Sequence, residues 1–241
     1  MRNDIHTHVN IMKTPTFTQT QHTWDIIADH FDQTRRYPWQ PILDVINSLS
    51  STAVVLDLGC GNGRHLFPCA KHCARVIGVD ISKSLLSIVQ KKIQDNKIHN
   101  ADILQGNLVS VPVQDSSVDA ILCVASLHTI HTRRFRRDAL KEIYRILQPQ
   151  GTLCLTVWSR WQDRFLWRFL KELFTRNEKE FGDIWIPWKQ QTDSIPRYYH
   201  LYSKHELRQD INSAGFSSFS LTSLKIASTY LADNYLVILE K

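Results

Sequence analysis

Residues 54–63, VVLDLGCGNG, together with residues 76–80, VIGVD, decide the fold of this chain. Each stretch holds an apolar run that is typical of a buried parallel strand, and each carries an acid at or near its end, Asp57 or Asp80. Three glycines follow the first strand at alternate positions: Gly59, Gly61 and Gly63. They predict a sharp turn into a helix, with the backbone open to close approach by a ligand. Because open α/β sheets bind ligands at the carboxyl ends of their strands, we expect a ligand crevice here.

The glycine spacing separates two classes of ligand. Dinucleotide sites have G-x-G-x-x-G before a helix that faces a pyrophosphate, whereas this chain has G-x-G-x-G with Asp57 two residues upstream. A carboxylate there disfavours an anion and favours the cationic amino group of a methionine moiety. Asp80 can accept both hydroxyls of a ribose. The pattern predicts S-adenosylmethionine as the cofactor, and the alternative is a tight turn that binds no ligand.

Length and composition favour one globular domain. The chain has 241 residues, of which 43% are hydrophobic and 22% charged. We expect residues 1–20, which are polar and rich in Thr and Gln, to form a disordered tail and residues 21–241 to form a single domain. The sequence has neither an apolar run of membrane-spanning length nor the apolar core of a signal peptide, so we expect a cytoplasmic protein with no membrane partner.

Metal and disulfide sites are not expected. The five cysteines are odd in number and fall mostly in predicted strands and helices, which favours reduced, partly buried side chains. Cys69 and Cys73 have a spacing that could suit a metal, but no second pair completes a site. Packing is therefore the preferred interpretation of this pair.

Strands and helices are predicted to alternate after two initial helices near 22–33 and 39–49. This order predicts a doubly wound, mostly parallel α/β sheet that ends in an antiparallel hairpin formed by strands near 218–226 and 233–239. A helix near 162–178 is expected to precede an aromatic loop from Trp185 to Tyr202. The remaining predicted strands are 54–58, 75–79, 102–105, 118–124 and 152–158, and the remaining helices are 64–73, 82–94, 132–147 and one from Ser203 to just before Gly215.

Four further segments point to a family: 30–39 (HFDQTRRYPW), 126–130 (SLHTI), 157–158 (VW) and 197–202 (RYYHLY). With the glycine turn they resemble the eukaryotic and archaeal tRNA methyltransferases that esterify 5-carboxymethyluridine at the wobble position. The resemblance runs from about His22 to Lys241. It implies the Rossmann-like fold of class I methyltransferases with a seven-stranded sheet, S-adenosylmethionine as cofactor, a tRNA substrate and a small zinc-containing activator subunit in a heterodimer.

The chain departs from the family pattern at three places: Gly106-Asn107-Leu108 replaces an acid that contacts adenine, Thr129 follows His128 in place of a second histidine, and Gln150 interrupts a P-G-G turn. The Asn107 oxygen can still accept the adenine hydrogen bond. We expect cofactor binding to survive all three changes. The predicted cofactor residues are Asp57, Gly59, Gly61, Gly63, Asp80, Ile81, Asn107, Leu108 and Ala125.

The implied reaction depends on the correct positioning of its reactants more than on acid or base catalysis, because a carboxylate is already ionised at neutral pH. Arg35, with a planar fork that matches a carboxylate, is the predicted seat for the carboxymethyl group, and a salt bridge to Asp32 or Asp29 is its alternative role. His128 is a candidate donor to the substrate or else a structural histidine. Trp158, Tyr199 and His200 are candidates to stack on or hydrogen-bond a flipped-out uridine.

Four arginines, Arg133, Arg134, Arg136 and Arg137, occupy the predicted first turn of a helix. Cations are unfavourable at the positive end of a helix dipole, so this cluster is a candidate phosphate-binding site, with a solvated helix face as the alternative. A basic and aromatic stretch from Arg160 to Lys171 also favours nucleic acid.

Two rival functions stay open. The first is a methyltransferase of a small hydrophobic metabolite such as a quinone precursor, because the glycine motif is shared with those enzymes. The second is a non-catalytic subunit that keeps the fold as a binding module. Salt-insensitive activity without RNA binding would favour the first, and failure of a folded protein to bind cofactor would favour the second.

Overall fold

The computed structural model describes residues 15–172, 180–190 and 193–241. Within them the strands are β1 (Val54–Leu58), β2 (Arg75–Asp80), β3 (Ala101–Gln105), β4 (Val118–Val124), β5 (Leu147–Trp158), β6 (Asp183–Gln190), β7 (Asp193–His200), β8 (Phe219–Leu224) and β9 (Asn234–Glu240). The helices are α1 (Phe17–Thr34), α2 (Gln40–Ser48), α3 (Leu66–His72), α4 (Lys83–Asp95), α5 (Arg133–Ile146), α6 (Leu166–Glu172) and α7 (Lys204–Ser213), and a 3-10 turn covers Leu127–Thr129.

Seven of these strands form one sheet in the order β3-β2-β1-β4-β5-β9-β8. The first five are parallel, whereas β9 pairs antiparallel with β5 and with β8. The doubly wound, mostly parallel sheet with a C-terminal antiparallel hairpin is therefore confirmed. β1 lies between β2 and β4, which explains why its residues from Val55 to Leu58 are all buried.

Helix α1 begins earlier than the sequence predicts. Its first residue is Phe17, and Thr16 closes a capping box in which its hydroxyl accepts the Gln19 N–H at 3.2 Å while the Gln19 side chain accepts the Thr16 N–H at 2.8 Å. Residues 17–20, which we expected to belong to the disordered tail of residues 1–20, are therefore helical. The expected domain start at residue 21 falls inside the helix. Residues 1–14 of that tail lie outside the described part of the chain.

The aromatic segment that we expected to be a loop, Trp185 to Tyr202, is largely a two-stranded antiparallel sheet made by β6 and β7. Pro187 and Pro196 lie opposite each other in its register. Proline lacks a backbone N–H and lowers the strand signal, but it is tolerated where one edge of a strand is not paired. This ribbon packs against the 3-10 turn and α1, beside the carboxyl ends of the main strands.

The remaining sequence predictions concern the predicted 162–178 helix, the cysteines and the membrane. The first of these is described as α6 up to Glu172, and its predicted end at 178 lies outside the described residues. All five cysteines are buried and unpaired. No helix in the described part of the chain is long and apolar enough to cross a bilayer.

Candidate active site

The glycine turn after β1 adopts a backbone that other residues rarely take. Gly59, Gly61 and Gly63 have φ angles of +78°, +56° and +83°. A Cβ on Gly59 would lie 2.2 Å from the Ser126 Oγ, and one on Gly63 would lie 2.7 Å from the Phe67 ring. The first and third glycines are therefore required both by conformation and by close packing.

Two buried carboxylates flank this turn. Asp80 accepts the backbone N–H of Gly61 at 2.8 Å and that of Ser82 at 2.9 Å, so the end of β2 is tied to the turn. Asp57 is 2% exposed, and its Oδ2 has no hydrogen-bond partner among the described residues. Burial and the nearby Asp80 carboxylate raise the pKa of Asp57 to about 7, and burial also raises the pKa of Asp80.

A positively charged ligand group near these acids would offset both the energetic cost of burying their charge and the repulsion between them. This unsatisfied negative charge, next to a glycine turn open to ligand approach, fits the amino group and ribose of S-adenosylmethionine. The residues present therefore suit the predicted cofactor.

A cavity of about 530 Å³ opens over the turn, within the usual size of small-molecule sites. Several predicted cofactor residues line it: Gly59, Gly61, Asp80, Ile81, Leu108 and Ala125. Asp57 and Gly63 lie outside the cavity surface, and so does Asn107, whose Oδ1 accepts the Val109 N–H at 3.0 Å. The structure thus uses the Asn107 oxygen to close a local turn, against our expectation that it faces adenine.

A wall of stacked rings also lines the cavity. Trp158 stacks on Tyr199 with ring centroids 4.7 Å apart and an interplanar angle of 18°, and His128 lies 5.2 Å from Trp158 and 5.5 Å from Tyr199. Residues predicted from three separate segments are therefore brought together, and all three line the cavity.

His128 is neutral in this wall. Burial, His200 and Arg197 lower its pKa to about 3. Its Nδ1 accepts the backbone N–H of Trp158 at 3.3 Å, which places the ring proton on Nε2. That Nε2 is buried and has no partner among the described residues, so it is free to donate to a ligand.

Four arginines line the same cavity: Arg35, Arg64, Arg164 and Arg197. Arg35 is exposed and lies over the Trp188 ring at 5.1 Å. The alternative role for Arg35 was a salt bridge to Asp32 or Asp29. Asp32 instead accepts from Lys92 and from the Asn62 amide, and the Arg35 side chain donates from Nη1 to the Thr34 carbonyl at 3.2 Å. Arg35 therefore keeps its guanidinium available at the cavity.

Arg197 is a site residue that the sequence pattern did not single out. It is 8% exposed, and its guanidinium carbon lies 4.4 Å from the Trp188 ring centre, 5.1 Å from that of Tyr199 and 5.8 Å from that of Trp24. Among the described residues, its Nε has no hydrogen-bond partner and no carboxylate pairs with its guanidinium. Burial and the positive charges of Arg35 and Arg164 lower its pKa.

This arrangement holds a cation in place by aromatic faces and leaves its hydrogen-bond donors unused. An anionic ligand group would satisfy them. The available signal was the position of Arg197 at the head of the 197–202 motif, two residues before Tyr199.

His200, predicted to contact the substrate, is instead part of the structural core. Its side chain is buried, with Nδ1 2.8 Å from an Asp183 oxygen and Nε2 2.8 Å from a Glu206 oxygen. Both ring nitrogens are therefore occupied, and His200 does not line the cavity. The prediction failed because side chains alternate along β7, so Tyr199 and His200 point to opposite faces.

The arginine cluster of α5 is compensated within the chain, contrary to our expectation. Arg133 and Arg137 each donate from Nε to the same Asp210 oxygen at 2.8 Å. Arg136 is fully buried and donates to Glu180 at 2.6 Å. Arg134, whose side chain is 87% exposed, is the member most accessible to a phosphate. These ion pairs with α7 and with the segment before β6 offset the unfavourable position of the arginines at the helix start.

Comparison with known proteins places this site in a family. A methyltransferase-domain model matches residues 56–155, which include the glycine turn and strands β2 to β4. A protein of Encephalitozoon cuniculi that is named as a methyltransferase is 31% identical over 198 residues, covering 80% of this chain and 84% of that protein. The chain belongs to the class I S-adenosylmethionine-dependent methyltransferase family. S-adenosylmethionine is accordingly its cofactor.

Other relatives carry more specific names. A protein of Schizosaccharomyces pombe named tRNA (carboxymethyluridine(34)-5-O)-methyltransferase is 26% identical over 90% of this chain and 94% of its own length. An Arabidopsis thaliana protein of the same name is 34% identical over 58% of this chain. The chain covers 32% of that plant protein, and 19% of a mouse relative with the same activity in its name.

Solved structures agree on the fold. A methyltransferase from Methanosarcina mazei superposes with a TM-score of 0.70 at 20% identity, over 85% of this chain and 98% of that one. A methyltransferase solved in complex with the Haloferax volcanii Trm112 activator superposes with a TM-score of 0.66 at 16% identity, over 92% and 96% of the two chains. At these identities the likeness concerns the fold alone.

Proposed function

We propose that this methyltransferase esterifies the carboxylate of 5-carboxymethyluridine at the wobble position of tRNA and acts with a small activator subunit. The observation that carries the proposal is Arg197, a buried arginine clamped between aromatic rings with unused donors. Arg35 and Arg164 line the same cavity. Such a cavity suits a planar anion beside a nucleobase.

The carboxylates on the cavity wall do not neutralise these arginines. Asp80 is tied to the glycine turn. Asp233 accepts backbone N–H groups from Ile226, Ala227 and Ser228 at 2.5–3.0 Å. The substrate part of the cavity therefore has free positive charge, which a small hydrophobic substrate would leave unpaired.

When bound, S-adenosylmethionine supplies an electrophilic methyl group, which an ionised carboxylate oxygen can accept without loss of a proton. The residues of this chain then serve to bind and orient. A guanidinium fork from Arg197 or Arg35 holds the carboxylate, and the Nε2–H of His128 offers a donor to the same substrate. The stacked wall of Trp158 and Tyr199 excludes water from one side.

The tRNA substrate and the partner are supported by the relatives. The fission yeast, plant and mouse relatives carry the tRNA activity in their names, and the first of them aligns over 90% of this chain. The partner is supported by a structural neighbour solved with an activator protein. The zinc content of that subunit stays a prediction, as does the cytoplasmic location, which suits five unpaired cysteines.

The proposal is tested by methyl transfer from labelled cofactor to three forms of one tRNA, whose wobble uridine carries a carboxymethyl group, a carbamoylmethyl group or no substituent. Labelling of the first form alone, with the methyl ester identified by mass spectrometry of the nucleosides, is the expected result. Equal labelling of all three would overturn the assignment of the acceptor.

The same protein sample addresses the rival functions. Labelling of a quinone precursor but not of tRNA would favour the small-molecule enzyme. A folded protein that does not bind cofactor in a calorimetric titration would favour the non-catalytic subunit.

A further inference from the structure

A second cavity, of about 550 Å³, lies beside the first. Its walls come from the first turns of α1, from Thr129, and from the β6–β7 ribbon through Trp185, Pro196 and Tyr198. None of the proposed cofactor or substrate contacts uses it except Arg197. The proposed function therefore leaves this cavity without an assigned ligand.

The two cavities share part of their walls: Thr20, Trp24, Thr129 and Arg197 line both. A guanidinium has five N–H donors, so Arg197 can serve groups on both sides. Two sites that share a wall in this way suit two adjacent parts of one ligand better than two unrelated ligands.

The lining of the second cavity combines aromatic faces with short polar groups. Trp24, Trp185, Tyr198 and His22 supply rings, and Trp185 packs edge-on against Tyr198 at 5.8 Å between centroids. Hydroxyls and an amide come from Thr18, Thr23, Thr129 and Gln19. No carboxylate lines the cavity within the described ranges.

This chemistry matches an unpaired nucleobase. Aromatic side chains stack on a base whatever its identity, and hydroxyl or amide groups can contact its edge. The absence of carboxylates from the described lining suits the phosphate groups that join neighbouring nucleotides.

We propose that the second cavity holds the nucleobase next to the methylated uridine in the same RNA strand. The inference rests on the proposed function for the identity of the neighbouring nucleotide. It adds a contact that helps position the target, in which Trp185 is the specificity residue and takes no part in methyl transfer itself.

The test measures binding and methylation of short single-stranded RNA that carries the target uridine with either neighbour intact or abasic. For the wild-type protein, removal of the base on one side of the target is expected to lower kcat/KM about tenfold, the order expected from the loss of one base–aromatic stacking contact. Removal of the base on the other side is expected to have a smaller effect. Equal rates for all three RNAs would overturn the proposal.

Trp185→Ala is expected to erase the difference between the intact RNA and the sensitive abasic RNA, whereas Trp185→Phe should retain most of it. Tyr230→Ala removes an exposed aromatic side chain that lines neither cavity and serves as the matched control. If Trp185→Ala lowered the rates for the two RNAs by the same factor, its role would be structural and the proposal would fail.

A binding readout separates this inference from the proposed function. An RNA with 2-aminopurine next to an unmodified uridine is titrated with each protein, and quenching of its fluorescence that depends on Trp185 is expected. Quenching without any methylation of 5-carboxymethyluridine would contradict the proposed function but support the cavity. Full methylation with quenching unaffected by Trp185→Ala would contradict the cavity alone.

Discussion

At the scale of single residues, Asp57 links the fold to the cofactor. Its carboxylate is buried, its Oδ2 has no partner in the described part of the chain, and its pKa is raised to about 7 by burial and by Asp80. In the cofactor-free protein the folded state therefore holds a proton that the unfolded state releases near pH 4. The contribution of this group to the free energy of unfolding is present at low pH and is lost as pH rises through about 7.

We predict that cofactor affinity depends on pH in the opposite direction. An ionised Asp57 attracts the cationic amino group of the ligand, so the affinity should rise as pH increases from 6 to 8. Asp57→Asn should weaken binding by about 1–3 kcal/mol and flatten this dependence. Calorimetric titration at several pH values measures both.

Asp95→Asn, which changes an exposed acid on α4, is the matched control for Asp57→Asn. It should leave the affinity and its pH dependence as they are in the wild type. Wild-type affinity in folded Asp57→Asn would contradict the role given to this acid.

Residue types and local motifs identified part of the site from sequence. The glycine turn was predictable because its conformation is fixed within a few residues, and Asp80 because it ends an apolar strand. Arg35 was a candidate from its residue type and motif, but Arg197 was not, since its burial between Trp24, Trp188 and Tyr199 depends on elements far apart in the chain. The same holds for His200, whose partner Asp183 lies 17 residues away.

At the scale of secondary structure elements, α5 shows how a charged helix start can be structural. Arg136 is fully buried and forms an ion pair with Glu180, whereas the side chain of Arg134 projects into solvent. The sequence pattern could not distinguish the buried arginine from the exposed one, because Glu180 and Asp210 are more than 40 residues away from the helix start. Alternation of strand and helix was easier to predict than the β6–β7 ribbon, where two prolines weaken the strand pattern.

We predict that Arg136→Gln lowers the free energy of unfolding by about 2–3 kcal/mol. This is below the usual cost of breaking a buried pair, because Glu180 is partly exposed and can be solvated. Arg134→Gln, on the same helix turn, should change it by less than about 0.5 kcal/mol. Urea denaturation of the two variants makes the comparison, and equal stabilities would contradict the packing of α5 described above.

At the scale of the whole molecule, the sheet was predictable because its core strands are nearly continuous apolar runs, and the fold matches that of a solved methyltransferase. Its two outer strands, β3 and β8, each have one unpaired edge within the sheet. Leu104 on β3 is 38% exposed. An open edge with exposed apolar side chains invites pairing with another chain.

We predict that the protein expressed alone is poorly soluble, and that co-expression with a small activator of the Trm112 type raises the soluble yield severalfold. Comparison of soluble and total protein by gel, followed by size-exclusion chromatography of the mixture, tests this. A chain that is soluble, monomeric and fully active without the activator would contradict it.

The central claim is that the arginines of the cavity receive a carboxylate. The measurement that tests it most directly is the single-turnover rate of methyl transfer to tRNA carrying 5-carboxymethyluridine, at saturating cofactor, for variants of Arg197 and Arg35. Arg197→Lys keeps the charge but loses the planar fork, so its rate should fall at least about tenfold, or ~1.4 kcal/mol, while cofactor affinity stays unchanged. Arg35→Lys should show a loss of the same sign, and Arg197→Ala should fall further.

Arg36→Lys is the matched control, because Arg36 is exposed next to Arg35 and does not line the cavity, and it should keep the wild-type rate. A folded Arg197→Ala variant that methylates this tRNA at nearly the wild-type rate would contradict the assignment of the carboxylate to Arg197.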